Sequence, residues 1–406
     1  MKTKKKAPII RIKGFDGDWE QRKFPEFVSF FNGLTYTPDD VQDTGTLVLR
    51  SSNVKNGEIV DADNVYVSDK VAISENVQKG DIVVVVRNGS RALIGKHAQI
   101  KAFMPNTVIG AFMTGLRSEQ SSFVNALLDT SAFEKEIAKN MGATINQITG
   151  YMFSKMEFMI PSEKEQQKIG DYFTNLDQLI TLHQREIDRI VCLRKAMVEK
   201  MFPQNGADVP AVRFSRYKEP WRLCQFSEIF TERHIIDTIS DEYPQLAFTI
   251  EEGVIRPEDK KTNKRDFLII DKATKKYLQT EYDDIIYNPA NVIYGAIHRN
   301  ALGKGCVSPI YKIFYTDQDS TFMECIVRHP NFIKEISRSM EGTVKKLRTL
   351  KPKAFLEMNA YIAPTIEEQR QIGEYFRQMD RLIEIEKEEL EKIKHIKSAC
   401  LEKMFV

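Results

Sequence analysis

Three stretches of this 406-residue chain place reactive residue types close together. Gly89-Ser90-Arg91-Ala92-Leu93-Ile94-Gly95-Lys96-His97 has the outline of a phosphate-binding loop, in which backbone amides, a lysine and a Ser/Thr hydroxyl hold phosphate and Mg²⁺. Such a loop needs four residues between its glycines and a hydroxyl after the lysine; here five residues and His97 stand instead, so a nucleotide site is not expected. Tyr287-Asn288-Pro289-Ala290-Asn291 approaches the Asn-Pro-Pro-aromatic loop that grips a flipped base. It has Ala290 for the second proline and Asn291 for the aromatic, and no Gly-rich cofactor loop stands upstream. Pro257-Glu258-Asp259-Lys260 offers carboxylates and a lysine for metal-assisted hydrolysis but lacks the spaced second half of a nuclease signature. The histidines (His97, His183, His234, His298, His329, His395) follow no metal-ligand spacing, and the cysteines (Cys192, Cys224, Cys306, Cys325, Cys400) form no CxxC pair. Catalysis, a resident metal and a cofactor are therefore not expected of this chain.

What must be positioned, and by what, emerges from a duplication. Pro161-Ser162-Glu163-Lys164-Glu165-Gln166-Gln167-Lys168-Ile169-Gly170 recurs as Pro364-Thr365-Ile366-Glu367-Glu368-Gln369-Arg370-Gln371-Ile372-Gly373, and the ungapped match runs to Phe202 and Phe405 with 17 identities in 42 positions. A second pair opens each half: Pro8-Ile9-Ile10-Arg11-Ile12 leads to Trp19, and Pro210-Ala211-Val212-Arg213-Phe214 leads to Trp221, the two tryptophans of the chain. Two copies are too few for a solenoid, so a pseudo-twofold pair of domains is expected.

Each copy of the longer repeat reads as a helix. A proline, a hydroxyl residue and an acidic first turn suit a helix start. Apolar residues then recur at three and four: Ile169, Phe173, Leu176, Ile180, Ile187, Ile190, Met197 and Met201, matched by Ile372, Phe376, Met379, Ile383, Leu390, Ile393, Cys400 and Met404. The stripe breaks at His183 and Arg194 and, at matching places, Glu386 and Lys397; Leu182 and Ile385 are expected to carry it past the first break. A helix of about 40 residues is about 60 Å long, and successive major-groove faces of DNA recur about every 34 Å. Such helices suit rods that separate two heads.

The heads themselves differ. Residues 20–158 and 222–360 mix short β-prone runs with helical stretches around Ser121–Asn140 and Thr321–Met340. Asp81-Ile82-Val83-Val84-Val85-Val86-Arg87 meets its echo Asp284-Ile285-Ile286-Tyr287 at the same offset, while the loops diverge. The expected fold is α+β, with two similar domains in a pseudo-twofold arrangement and the two helices packed as an antiparallel coiled coil. The segments are residues 1–158 (opening segment 8–21), the central helix 159–205, residues 206–360 (opening segment 210–222) and the distal helix 361–406.

Bulk composition excludes little. A formal net charge of +2 is neutral evidence on nucleic acid, and distribution matters more than sum. Acidic residues crowd at Glu384, Glu386, Glu388, Glu389 and Glu391, and basic ones at Lys345, Lys346, Arg348, Lys351 and Lys353. No run nears the roughly 18 apolar residues of a membrane span. The basic start Met1-Lys2-Thr3-Lys4-Lys5-Lys6 is not followed by a signal-peptide core, so a cytoplasmic protein is expected.

The doubled Pro-x-x-x-Glu-Gln-x-x-Ile-Gly helix and the doubled Pro-x-x-Arg-Ile/Phe…Trp opening resemble the DNA specificity subunit of type I restriction–modification enzymes. The resemblance implies two target recognition domains, each reading one part of a bipartite, asymmetric site in double-stranded DNA. It implies that the helices set the gap and dock two modification subunits, with restriction subunits added. S-adenosylmethionine, ATP and Mg²⁺ would then sit on those partners, and this chain would perform no chemistry. The plain end at Val406 departs from members with extra terminal sequence that completes a circular arrangement. The rival reading is a non-catalytic coiled-coil adaptor whose duplicated heads bind proteins.

Arg and Lys read guanine in the major groove, and Asn and Gln read adenine. In the first half Arg50, Ser51, Asn53, Lys55, Arg87, Asn88, Ser90, Arg91 and Lys96 stand beside strand ends and glycine turns. In the second, Asn288, Asn291, Tyr294, His298, Arg299, Asn300 and Lys304 form a polar, aromatic and basic loop. Spacer and docking residues would be Glu165, Gln166, Ile169, Phe173, Leu176 and Ile180, and Glu368, Gln369, Ile372, Phe376, Met379 and Ile383.

Overall fold

A computed structural model describes residues 7–141, 146–204, 206–260, 275–340 and 348–406. The chain forms two compact units: residues 1–184 with 387–406, and residues 185–386. The divisions therefore fall inside the two long helices, Glu163–Met201 and Ile366–Met404, and not at their ends. Each unit holds an α+β domain, the start of its own helix and the last part of the other one.

In the first unit, Glu20–Lys23 pairs antiparallel with Glu157–Ile160, just before the helix. A four-stranded antiparallel sheet follows the order Ser29–Asn32, Met113–Arg117, Ile82–Val85, His97–Gln99. A second sheet joins Thr107–Ile109, in parallel, to Thr46–Leu49, then Val65–Val67 and Val41–Gln42. The strand Ile82–Val85 is apolar throughout because both its faces are covered. Ile82 and Val84 enter the core around Trp19, Phe123 and Phe173, while Val83 and Val85 enter a second core with Phe31 and Leu49, as the two-residue period of a strand requires. Gly115 faces Phe31 so closely across the sheet that a Cβ would strike the ring.

The second unit repeats this frame. Arg222–Gln225 pairs with Asn359–Ile362, and a sheet runs Thr231–Glu232, Lys312–Tyr315, Ile285–Tyr287, Ile297–Arg299. Ile285 and Tyr287 enter the core with Trp221 and Phe376, and Ile286 enters the one with Phe248. Asp81 and Asp284 sit at the head of the equivalent strands, each accepting a backbone N–H three residues earlier, from Gln78 and Glu281, at 2.7 Å. Where sequence suggests one helical stretch, each unit has two helices: Ser121–Leu128 and Ser131–Asn140, and Ser320–Val327 and Pro330–Ser339. Thr130 and His329 break the run because their side chains accept the next helix's N–H groups.

The long helices run antiparallel within each unit. In the first, Tyr172 Oη lies 3.4 Å from Cys400 Sγ and Asp177 Oδ1 lies 2.7 Å from Lys397 Nζ. In the second, Phe376 packs on Phe202 and Arg194 donates to Asp380 at 2.5 and 3.0 Å. Arg194 and Lys397 are the second interruptions of the apolar stripe, and each is matched by the aspartate at one equivalent position of the opposite helix. The first interruption is not bridged as expected. Leu182 and Ile385 are 61% and 45% exposed, whereas His183 and Glu386 are the half-buried pair; the helix keeps its phase, so the polar residues stay on the seam.

Candidate nucleic-acid interface

The repeated motif explains itself in three dimensions. Arg11 Nε and Nη2 donate to the two carboxylate oxygens of Glu165, both at 2.8 Å; Arg213 closes on Glu368 at 2.7 and 2.8 Å. Gln166 and Gln369 fold back to donate to the carbonyls of Pro161 and Ala363 at 2.9 Å. Gly170 and Gly373 let the helix approach the start of the next domain helix; a Cβ would run into the Phe123 backbone or the Asp319 carboxylate. The opening segment also caps the end of a long helix. Ile10 N donates to Lys403 O at 2.8 Å, and Val212 N to Lys200 O at 2.9 Å. Trp19 stands edge-on to Phe405 and Trp221 to Phe202.

These contacts correct one expectation. Glu165, Gln166, Ile169, Phe173, Leu176, Glu368, Gln369, Ile372, Phe376, Met379 and Ile383 are all buried, and Ile180 is half-buried. They fasten the helices to the domains, so a partner cannot dock on them; any docking surface must use other helix residues.

In the first unit the candidate readers converge on one loop. Its base is pinned by Val86 N and Arg87 N, which both donate to Phe112 O, at 3.0 and 3.2 Å. Asn88 N donates to Asn146 O, and Asn146 Nδ2 returns a bond to Gly89 O at 3.1 Å. Asn88 Oδ1 accepts from Ser90 N at 2.9 Å, which shapes the turn. Asn88 Nδ2 and Lys96 Nζ reach Ser51 Oγ and O at 3.3 and 3.2 Å. Ser51, Arg87, Asn88, Ser90, Arg91 and Lys96 thus form one surface, with Arg87, Ser90 and Arg91 exposed. Lys55 lies apart on the hairpin Val54–Ile59, whose Asn56 and Gly57 both take positive φ. Arg50 is committed to Asp63, whose carboxylate and carbonyl accept from Nη2 at 2.5 and 2.6 Å. Asn53 is corrected outright: it is wholly buried, accepting from Arg50 N and donating to Ala62 O and Asn64 Oδ1.

In the second unit Asn288 builds the same kind of turn, its Oδ1 accepting from Ala290 N and Asn291 N at 3.0 and 3.3 Å. Asn288, Asn291 and exposed Tyr294 share this loop. Leu350 N donates to Pro289 O at 3.0 Å, which brings the segment carrying Arg348, Lys351 and Lys353 alongside; Lys345 and Lys346 lie outside the described residues. Two more expectations are corrected by burial. His298 is buried, with Nε2 donating to Ile250 O and Nδ1 accepting from Arg328, both at 2.8 Å. Asn300 is wholly buried, donating to Thr280 Oγ1 and Gly303 O. Arg299 is mostly buried against Asp283 and Glu324, and Lys304 pairs with Glu242 away from the loop.

Sequence reasoning passed over Phe112, Asn146 and Gln147, which the fold brings to the first loop. Their signal was the echo of Ile148 in Leu350, since both donate a backbone N–H to the equivalent strand end (Val86 O and Pro289 O).

The electrostatics of the two units differ behind the sheet. His97 Nδ1 faces Gly95 O at 3.0 Å and its Nε2 faces Asp129 Oδ1 at 3.4 Å. Lys397 Nζ lies 2.7 Å from both Asp129 and Asp177. Burial opposes charge on both aspartates; with His97 and Lys397 on it, Asp129 is held down at about 2, whereas Asp177 is pushed above the usual carboxylate range. His298, by contrast, is driven down to about 4 by burial and then by Arg328. Among the described residues no cluster of His, Cys, Asp and Glu is arranged to hold a metal ion, and no helix is long and apolar enough to cross a membrane.

Residues 16–191 match the family model of the type I restriction modification DNA specificity domain. The type I restriction enzyme StySPI specificity subunit of Salmonella potsdam is 27% identical over 39% of this chain; that match spans 36% of the relative, about a third of its length. The MjaVIII specificity subunit of Methanocaldococcus jannaschii is 20% identical over 95% of this chain and 91% of its own. Among solved structures, the type I restriction–modification S subunit from M. genitalium superposes with a TM-score of 0.64 at 16% identity, covering 98% of this chain and 99% of that one. With the doubled motif and the paired helices in place, residues 16–191 match the type I restriction modification DNA specificity domain, and the chain as a whole is similar to type I specificity subunits in sequence and to an S subunit in fold.

Proposed function

We propose that this chain is the DNA-reading subunit of a type I restriction–modification complex. Each unit reads one half of a bipartite, asymmetric site in double-stranded DNA. Two modification subunits dock on exposed helix faces, restriction subunits join them, and the assembly works in the cytoplasm. S-adenosylmethionine, ATP and Mg²⁺ belong to those partners, and this chain contributes recognition without chemistry of its own.

One observation carries the reading. The same frame, with its Arg–Glu clamp, Trp–Phe contact and Asp–cation pair, presents two loops that differ: Arg87–Arg91 in one unit and Asn288–Tyr294 in the other. Identical mounts for unlike readers are what an asymmetric target needs. Phosphate contacts would position each head and the loop side chains would specify bases.

The test is base-resolution methylome sequencing of the source organism with and without this gene. Loss of N6-methyladenine at one split motif is the expected result. An unchanged methylome overturns the reading and leaves the adaptor alternative. Exchanging residues 22–155 for another such domain should alter only one half of the motif. Inserting one heptad into both helices should lengthen its gap.

A further inference from the structure

Polar residues fill the first loop, but the best-placed unexplained side chain there is apolar. Phe112 stands at the turn before strand Met113–Arg117 and is 55% exposed. Its carbonyl takes hydrogen bonds from both Val86 N and Arg87 N, so the ring is carried rigidly by the base of the Arg87–Arg91 loop. The Arg87 guanidinium lies over the ring, 5.0 Å from its centroid. An isolated exposed apolar residue is ordinary. This position is not isolated in that sense, because the second unit repeats it. In the sheet registers Thr114 pairs with Val84 and Lys312 with Tyr287, which makes Ile310 the counterpart of Phe112. Ile310 is 58% exposed. The residue type changes between units while the apolar character and exposure persist.

We infer that Phe112 is a specificity-determining residue that packs against the 5-methyl group of a thymine in the first half-site, beside the base that Arg87 reads. The inference rests on the DNA-reading function proposed above. A guanidinium stacked on one face leaves the ring unable to slide between base pairs with both faces bare, as an intercalating wedge does. Its edge and second face remain to meet a groove-lining methyl, the apolar feature that thymine presents in the major groove. Arg87, held over the same ring, keeps its N–H donors for an adjacent guanine.

The experiment uses the full chain assembled with its modification subunits and a duplex carrying the methylome-defined motif. Each thymine of the first half-site, on either strand, is replaced in turn by uracil, which lacks only the methyl. Wild type should lose roughly fourfold in affinity at one position, the scale of one buried methyl group. Phe112→Ala should bind the thymine duplex about as weakly as wild type binds that uracil duplex, and should not distinguish the two. Phe112→Leu, which keeps an apolar side chain, should retain part of the discrimination. Wild-type indifference to uracil at every position, a Phe112→Ala variant that still discriminates, or a first half-site without an A·T pair each overturns the inference. Absence of any sequence preference in wild type overturns the proposed function instead.

Discussion

Among the described residues, Arg11 alone closes on the Glu165 carboxylate in the first unit, and Trp19 Nε1 is buried without a hydrogen-bond partner. In the second, Glu368 receives Arg213 and also the indole N–H of Trp221 at 3.3 Å. The mounts are the same to within a tenth of an ångström in their Arg–Glu distances, yet their redundancy differs. The polar groups behind the sheets differ more. In the first unit Asp129 faces both His97 and Lys397, and Lys397 also reaches Asp177, whereas the second unit keeps His298 in the neutral form and sets Arg194 on Asp380 and the Phe376 ring. What the duplication preserves is therefore the way the helices are held; what it releases is the polar chemistry around the two divergent loops.

The largest test of that contrast is to remove the clamps. Arg11→Ala leaves a buried carboxylate with no partner and should cost about 3–5 kcal/mol of unfolding free energy. Arg213→Ala should cost about 1 kcal/mol less, because the Trp221 indole still donates to Glu368. Each unit contains one tryptophan, Trp19 or Trp221, so denaturant titrations followed by fluorescence of Trp19→Phe and Trp221→Phe backgrounds report the units separately. Equal losses would show that the indole contributes nothing.

Acid should then separate the units. The folded pKa of His298 is lowered to about 4 from 6.5, so the unfolded chain binds the proton first, and stability falls as pH drops through that window. Full development is worth on the order of 3 kcal/mol. The groups facing His298 are Arg328, Glu324, Ile250 O and the Phe248 edge. The second unit should therefore lose stability between pH 6.5 and 4, and a His298→Gln variant should flatten that slope. A slope unchanged by the substitution would assign the acid sensitivity elsewhere.

Recognition comes next. Arg91→Ala should relax only the first half-site and Asn291→Ala only the second, each by roughly 1–3 kcal/mol of base discrimination. Binding competition against single-position variants of the motif measures this, and a substitution that relaxes both halves would break the comparison. The smallest effect concerns the helix pairs. Asp380→Asn strips Arg194 of its half-exposed carboxylate and should cost about 0.5–1 kcal/mol, whereas Asp177→Asn leaves Lys397 on Asp129 and should cost less. Thermal unfolding of the two variants decides the order.

Much of the frame was legible in the chain itself. The doubled motif announced two helices, and the shared offset of Asp81 and Asp284 announced equivalent strands. The roles of the motif's polar residues were not legible. Glu165 and Glu368 read as first-turn acids of spacer and docking helices until partners about 150 residues away close on them. Asn53, His298 and Asn300 carry residue types that turns expose as readily as they bury, and local sequence does not say which. Leu182 and Ile385 satisfy an apolar pattern but face outward, because helix phase is set by the packed neighbours at Ile180, Ile187, Ile383 and Leu390.

Sequence by itself determined the secondary elements, the twofold plan and the positions at which the halves diverge, since periodicity, turn chemistry and repetition are local or self-comparing properties. Tertiary structure alone decided which polar groups are consumed internally and which remain to meet a partner. It also made Phe112 a neighbour of Arg87. The reason is that burial and pairing depend on segments brought together across long stretches of chain, and no pattern within either segment records the other.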